Sequence, residues 1–85
     1  MRYIFVDESW EDYLYWQKTD KNMLLKINNL LKDISRTPFT GIGKPEPLKY
    51  KYKGFWSHRI DDEHRLIYKV KDDEIQIAKC RFHYD

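Results

Sequence analysis

Alternation and helical spacing divide the chain into a short strand, two helices, an irregular loop and a run of strands. Arg2 to Val6 (RYIFV) is aromatic and β-branched and runs into Asp7-Glu8-Ser9, a strand followed by helix-start residues. From Ser9 to Gln17, Trp10, Tyr13, Leu14 and Gln17 share one helical face, and Ser9 with Asp12 three residues on resembles a capping box. Thr19-Asp20 opens a second helix whose apolar set, Met23, Leu24, Ile27, Leu30, Leu31 and Ile34, keeps helical spacing throughout. It stops near Arg36, because Thr37 precedes Pro38 and is pushed out of the α region.

Residues 37–47 (TPFTGIGKPEP) hold all three prolines and two of the three glycines, an irregular loop of a length that is usually functional or disordered. Within it Glu46 stands between Pro45 and Pro47, whose fixed φ restricts the backbone on both sides of that carboxylate. Leu48 to Tyr52 suits a short extra strand. Strands then follow at Phe55 to Ile60, Arg65 to Val70 and Glu74 to His83, with the acidic triplets 61–63 and 72–74 as turns.

Period two puts Trp56, His58, Ile60, Leu66, Tyr68, Val70, Ala78, Cys80 and Phe82 on one side, the side the helices cover. The other side carries Ser57, Arg59, Arg65, Ile67, Lys69, Lys79, Arg81 and His83. The expected architecture is one α+β domain over residues 1–85, with two N-terminal helices on one face of an antiparallel sheet, in the order β-α-α-β-β-β plus the extra short strand.

Composition sharpens this picture in three places. A domain of 85 residues buries only about 60 to 65% of its unfolded surface, so the fourteen aromatics must make the core efficient. A lone cysteine, Cys80, excludes an internal disulfide and has no zinc-type cluster around it, and the apolar run at the N-terminus is too short for a signal peptide or membrane span. Both features point to a cytoplasmic protein without a membrane partner, metal or cofactor.

Charge matters through its placement. The net charge is only +2, but residues 41–85 carry ten basic and eight acidic side chains, and six of those acids lie in the two turn triplets. A sheet face of arginines and lysines beside Lys49-Tyr50-Lys51-Tyr52-Lys53 suits a polyanion whose bases stack on rings, or else is simply a solvated charged face. RNA carries its own nucleophile, the 2′-hydroxyl. Cleaving it needs a base, an acid for the departing 5′-oxygen and fixed cations for the phosphorane charge, roles that Glu, His and Arg fill without a metal.

Each candidate also has a plainer explanation. Glu46 can be merely exposed, His83 incidental, Arg65 paired with a turn carboxylate, and Tyr84 a hydrophobic anchor. His58 turns towards the helices, His64 sits at a turn, and Cys80 falls in the apolar set.

Taken together, ESWEDYLYWQKTDK, RTPFTGIGKPEPLK, FWSHRIDDEHRLIYKV and AKCRFHY closely resemble the YoeB toxins of the RelE/ParE superfamily, over essentially the whole chain. The resemblance implies a RelE-like α/β domain and a ribosome-dependent endoribonuclease that cuts mRNA in the A site and halts translation. It implies Glu46 as general base, His83 as general acid, Arg65 as phosphate stabiliser and Tyr84 as the residue orienting RNA near His83. Arg59 and Lys49 then look like backbone-binding or transition-state cations, with Arg81 beside His83 to meet RNA. Expected products are a 2′,3′-cyclic phosphate, opened later to a 3′-phosphate, and a 5′-hydroxyl. A YefM-type antitoxin that folds on binding is the implied partner, and a homodimer is a further implication. Asp85, after Tyr84, departs from the usual family ending; its carboxylate should favour the imidazolium form of His83. The rival functions are a gyrase-poisoning toxin of the ParE type and a non-catalytic RNA or ribosome binder.

Overall fold

The structure is a computed structural model, and it describes residues 1–38 and 45–82. Its elements are β1 (Arg2–Phe5), α1 (Asp7–Thr19), α2 (Lys21–Arg36), β2 (Glu46–Pro47), a 3-10 turn (Tyr50–Tyr52), β3 (Trp56–Arg59), β4 (Arg65–Lys71) and β5 (Glu74–Lys79). The five strands lie in the order β1-β5-β4-β3-β2. The expected α+β class holds, with one change: β1 runs parallel to β5, so the sheet is mixed. The two helices between β1 and the later strands form the long connection that a parallel pairing requires.

α1 begins earlier than the Ser9 start expected from sequence. Val6 is its N-cap and Ser9 the third helical residue, while Asp7 and Glu8 place their charges in the first turn, where the helix dipole favours them. Ser9 is fully buried; its Oγ accepts from the Val6 N–H at 3.0 Å and donates to the Ile77 carbonyl at 2.6 Å. Asp12, expected in a capping box, instead accepts the Cys80 N–H at 3.1 Å. Both side chains therefore bind α1 to β5 and the residues just after it.

α2 starts where Asp20 caps it, accepting from the N–H groups of Asn22 (3.1 Å) and Met23 (3.2 Å). Asp20→Ala is expected to lower stability by about 1 kcal/mol, read as a fall in Tm of about 4–8 °C for a domain of this size. An unchanged Tm would show that the cap contributes nothing.

The core joins Trp16, Met23, Ile27, Leu31 and Ile34 of the helices to Ile60, Leu66, Tyr68, Ile75, Ile77 and Cys80. Here the expected face assignment needs correcting in β5. Ile67 pairs with Lys79 while Tyr68 pairs with Ile77, so Ala78 is an extra residue, a bulge that reverses the alternation. Ile75 and Ile77 consequently point inward ahead of the bulge and Cys80 after it. Ala78 is only half-buried, and Phe82 is 53% exposed rather than in the core.

The other face is not fully solvated either, since Ile67 is 1% exposed. The segment 48–55 folds over it: Leu48 donates its N–H to the Phe55 carbonyl at 2.9 Å, and Tyr52 and Phe55 meet Lys79 and Lys69, the neighbours of Ile67. The extra strand expected at Leu48 to Tyr52 is absent; the added strand is Glu46–Pro47, paired to β3 at the edge of the sheet. An edge position tolerates Pro47, which has no N–H to give a ladder.

No described helix is long and apolar enough to cross a membrane. Among the described residues, no cluster of His, Cys, Asp and Glu could hold a metal ion.

Candidate active site

Strand register brings two of the predicted cations together. Arg59 of β3 stands directly opposite Arg65 of β4. Facing positions on adjacent strands put Cβ atoms about 4.5–5.5 Å apart, and like charges there oppose folding. One step along the same face, Glu46 pairs with Ser57, Ser57 with Ile67, and Ile67 with Lys79. Strand spacing and rise then separate the Glu46 and Arg65 backbones by about 12 Å, a gap that long side chains close around a phosphodiester.

Arg65 is oriented by backbone oxygens. Its Nη1 donates to the carbonyls of Asp61 (2.7 Å) and His64 (3.0 Å), and among the described residues it makes no ion pair. Pairing with a turn carboxylate, the plainer explanation from sequence, does not occur there. Arg59 behaves differently: it donates to the Asp61 carbonyl at 3.3 Å and forms an exposed ion pair with Asp62. The first acidic triplet is thus not simply turned away from the basic face. Such an exposed pair is worth at most about 1 kcal/mol, so a phosphate can displace it.

Asp61 builds the turn itself. Its Oδ1 accepts from the N–H groups of Glu63 (2.9 Å) and His64 (2.7 Å). Burial pushes the Asp61 carboxyl up, but those two amides outweigh it and hold the group below its ordinary value, ionised at neutral pH.

Lys49 is exposed and caps the 3-10 turn. The alternating tyrosines beside it separate: Tyr50, in left-handed backbone (φ 58°), is 92% exposed, whereas Tyr52 lies under two ammonium groups, Lys51 at 5.2 Å and Lys79 at 5.7 Å. The Tyr52 hydroxyl, together with Glu8 and against burial, raises the Lys79 pKa, so this cation stays charged.

Arg81 is not part of the sheet face on which alternation placed it. β5 ends at Lys79, and the Arg81 guanidinium lies 3.4 Å from the centre of the Tyr15 ring on α1 and 4.3 Å from that of Phe82. There it borders a hollow shared with Glu11, Asp12 and Lys18. His83, Tyr84 and Asp85 lie outside the described residues, as do positions 39–44 of the proline loop.

The two other histidines are buried, as is Cys80. His58, as expected, turns inward. His64 does more than close a turn: its Nδ1 accepts the Phe82 N–H at 2.7 Å, and its ring meets Trp16 edge-on at 4.8 Å. Only the pairing of positions 64 and 82 reveals this contact, so local sequence gave no signal of it. Burial, with Asp12 adding to it, pushes the Cys80 thiol up to about 12. Folded protein at pH 8 is therefore expected to resist iodoacetamide and to react fully once denatured; rapid labelling of the folded state would refute a sequestered thiol.

A larger hollow of about 560 Å³, lined by Tyr3, Phe5, Trp10, Tyr13 and Leu25 among others, sits at the β1 edge, across the sheet from Glu46 and Arg59.

Known proteins match this chain over nearly its whole length. Residues 5–84 match the family described as YoeB-like toxin of bacterial type II toxin-antitoxin system. Toxin YoeB of Escherichia coli (strain K12) is 62% identical over 84 residues, 99% of this chain and 100% of the relative. A YoeB/ParE toxin structure from Agrobacterium tumefaciens superposes with a TM-score of 0.95 at 48% identity, covering 99% of this chain and 100% of that one. A heterotetrameric YoeB-YefM toxin-antitoxin complex from Staphylococcus aureus gives a TM-score of 0.92 at 49% identity, covering 99% and 98%. With its mixed sheet, two helices and facing arginines, the chain belongs to the YoeB-like toxins of bacterial type II toxin-antitoxin systems.

Proposed function

We propose that this toxin is a ribosome-dependent mRNA endoribonuclease that cuts the codon in the A site. The observation that carries the reading is the apposition of Arg59 and Arg65 one row from Glu46. Two arginines at facing strand positions oppose folding by their like charge, and an anion that binds both offsets that cost.

In the proposed reaction Glu46 takes the proton from a 2′-hydroxyl, and O2′ attacks the adjacent phosphorus. Arg65, with Arg59 and Lys49, stabilises the charge that builds on the phosphorane oxygens. The bond from phosphorus to O5′ then breaks, and His83 gives its proton to the departing oxygen. Tyr84 orients the RNA beside His83. The products are a 2′,3′-cyclic phosphate, opened later by water to a 3′-phosphate, and a 5′-hydroxyl; no metal takes part.

A role for the ribosome follows from the chemistry of the substrate. A flexible RNA must be brought into line for O2′ attack, and orientation supplies much of the rate in such a step. The A site would provide that orientation. Comparing cleavage of the same mRNA, naked and on translating ribosomes, tests this: cuts confined to ribosomes are expected, and equal rates would contradict it.

The Staphylococcus aureus complex supports a YefM-type antitoxin as partner; the ribosome and a cytoplasmic location belong to the proposal itself. Self-association into a homodimer belongs to the same proposal.

A further inference from the structure

β5 stops pairing at Lys79, yet residues 80–82 remain tied by backbone bonds of a different kind. Trp16 Nε1 donates to the Cys80 carbonyl at 2.8 Å, and Asp12 accepts the Cys80 N–H. Phe82 is gripped at both polar groups: its N–H goes to His64 Nδ1 at 2.7 Å, and its carbonyl accepts from the Arg65 N–H at 3.0 Å. Between those bonds Phe82 adopts left-handed backbone, φ 66°. A bulky residue leaves that conformation unless its surroundings hold it.

The grip also settles the chemistry of the imidazole. A backbone N–H can only donate, so Nδ1 must offer its lone pair and the ring proton must sit on Nε2, which faces Glu63 Oε1 at 3.5 Å. The ring packs edge-on against Trp16, and the His64 N–H donates to the Asp61 carboxylate. His64 adjoins Arg65, and its own carbonyl accepts from the Arg65 guanidinium. One short segment therefore sets both that guanidinium and the backbone of Phe82.

We infer that His64 is a positioning residue for the RNA cleavage: its Nδ1 lone pair holds Phe82 in left-handed backbone, and the Phe82 carbonyl, by taking the Arg65 N–H, keeps Arg65 in place. This inference rests on the proposed nuclease reading and adds a residue to it. His64 touches neither RNA nor the reacting atoms in this account. Its work is done through the Phe82 amide.

Two variants separate positioning from packing. His64→Phe keeps a ring against Trp16 and removes the acceptor; His64→Asn loses the ring but presents an amide oxygen where Nδ1 stood. Single-turnover cleavage of ribosome-bound mRNA is measured for each, together with Tm and the concentration giving half-maximal rate. His64→Phe is expected to lose about 10²-fold in maximal rate, with half-saturation unchanged, because misplacement by about an ångström costs that much. His64→Asn is expected to stay within about tenfold of the native rate despite the lower Tm. Full activity in His64→Phe, or a greater loss in His64→Asn than in His64→Phe, overturns the inference while leaving the nuclease reading in place. No cleavage by the native chain ends both. Independently of folding in either variant, ¹⁵N spectra of the native protein at pH 7.5 must show an unprotonated Nδ1 and a protected Phe82 amide; a protonated Nδ1 also overturns it.

Discussion

Glu46→Ala is expected to lower mRNA cleavage on translating ribosomes by about 10²- to 10⁴-fold, the usual contribution of a general base, without weakening ribosome binding. The expectation follows from where Glu46 sits. It is exposed on an edge strand, faces Ser57 across the ladder, and is flanked by prolines that fix its backbone. Removing this exposed side chain therefore leaves the core intact. A protein that merely bound RNA through Arg59, Arg65 and Lys49 would hold its target as well or better without the carboxylate. Native-like cleavage by the variant would remove Glu46 from the chemistry.

Leu66→Ala has the largest expected effect on the fold. Leu66 is fully buried in β4, opposite His58 and next to Arg65. Truncating such a side chain costs about 2–5 kcal/mol, out of a total of about 5–15 for a domain. Each kcal/mol lowers Tm by about 4–8 °C here, so the variant melts far below the native chain. Cleavage should fall with the folded fraction and recover when temperature is lowered, unlike the temperature-independent loss from Glu46→Ala. A Tm within a few degrees of native would show that the core collapses around the gap.

How far these sites could be read from sequence depended on whether the controlling contact was local. α2 was legible because its spacing, its Asp20 cap and the stop before Pro38 are all local signals. α1 was misplaced at its start because the Ser9 hydroxyl serves Val6 and Ile77, and the second of these partners is 68 residues away. The β5 faces were misread for a similar reason: a bulge at Ala78 depends on the register with β4 and leaves no mark on alternation. A short strand was expected at Leu48 to Tyr52, but the left-handed Tyr50 and Gly54 (φ 93°) turn the chain instead.

Within the site, period two correctly put Arg59 and Arg65 on one face, and register made them partners. It failed for Arg81, which leaves the sheet for Tyr15 once pairing has ended. The carbonyl bonds that aim Arg65 and the grip of His64 on Phe82 need three-dimensional neighbours that no spacing rule supplies. The roles of His83 and Tyr84 rest on resemblance to the family, since both residues lie outside those described.

The central claim is metal-independent acid-base cleavage of mRNA in the A site. Its most direct measurement maps the 5′ and 3′ ends of mRNA cut on purified translating ribosomes, with a chelator of transition metals present, for the native chain and His83→Gln. The account predicts A-site cuts bearing 2′,3′-cyclic or 3′-phosphate and 5′-hydroxyl ends, lost in the variant. Ribosome binding without cuts, or cuts that His83→Gln leaves unchanged, would contradict it.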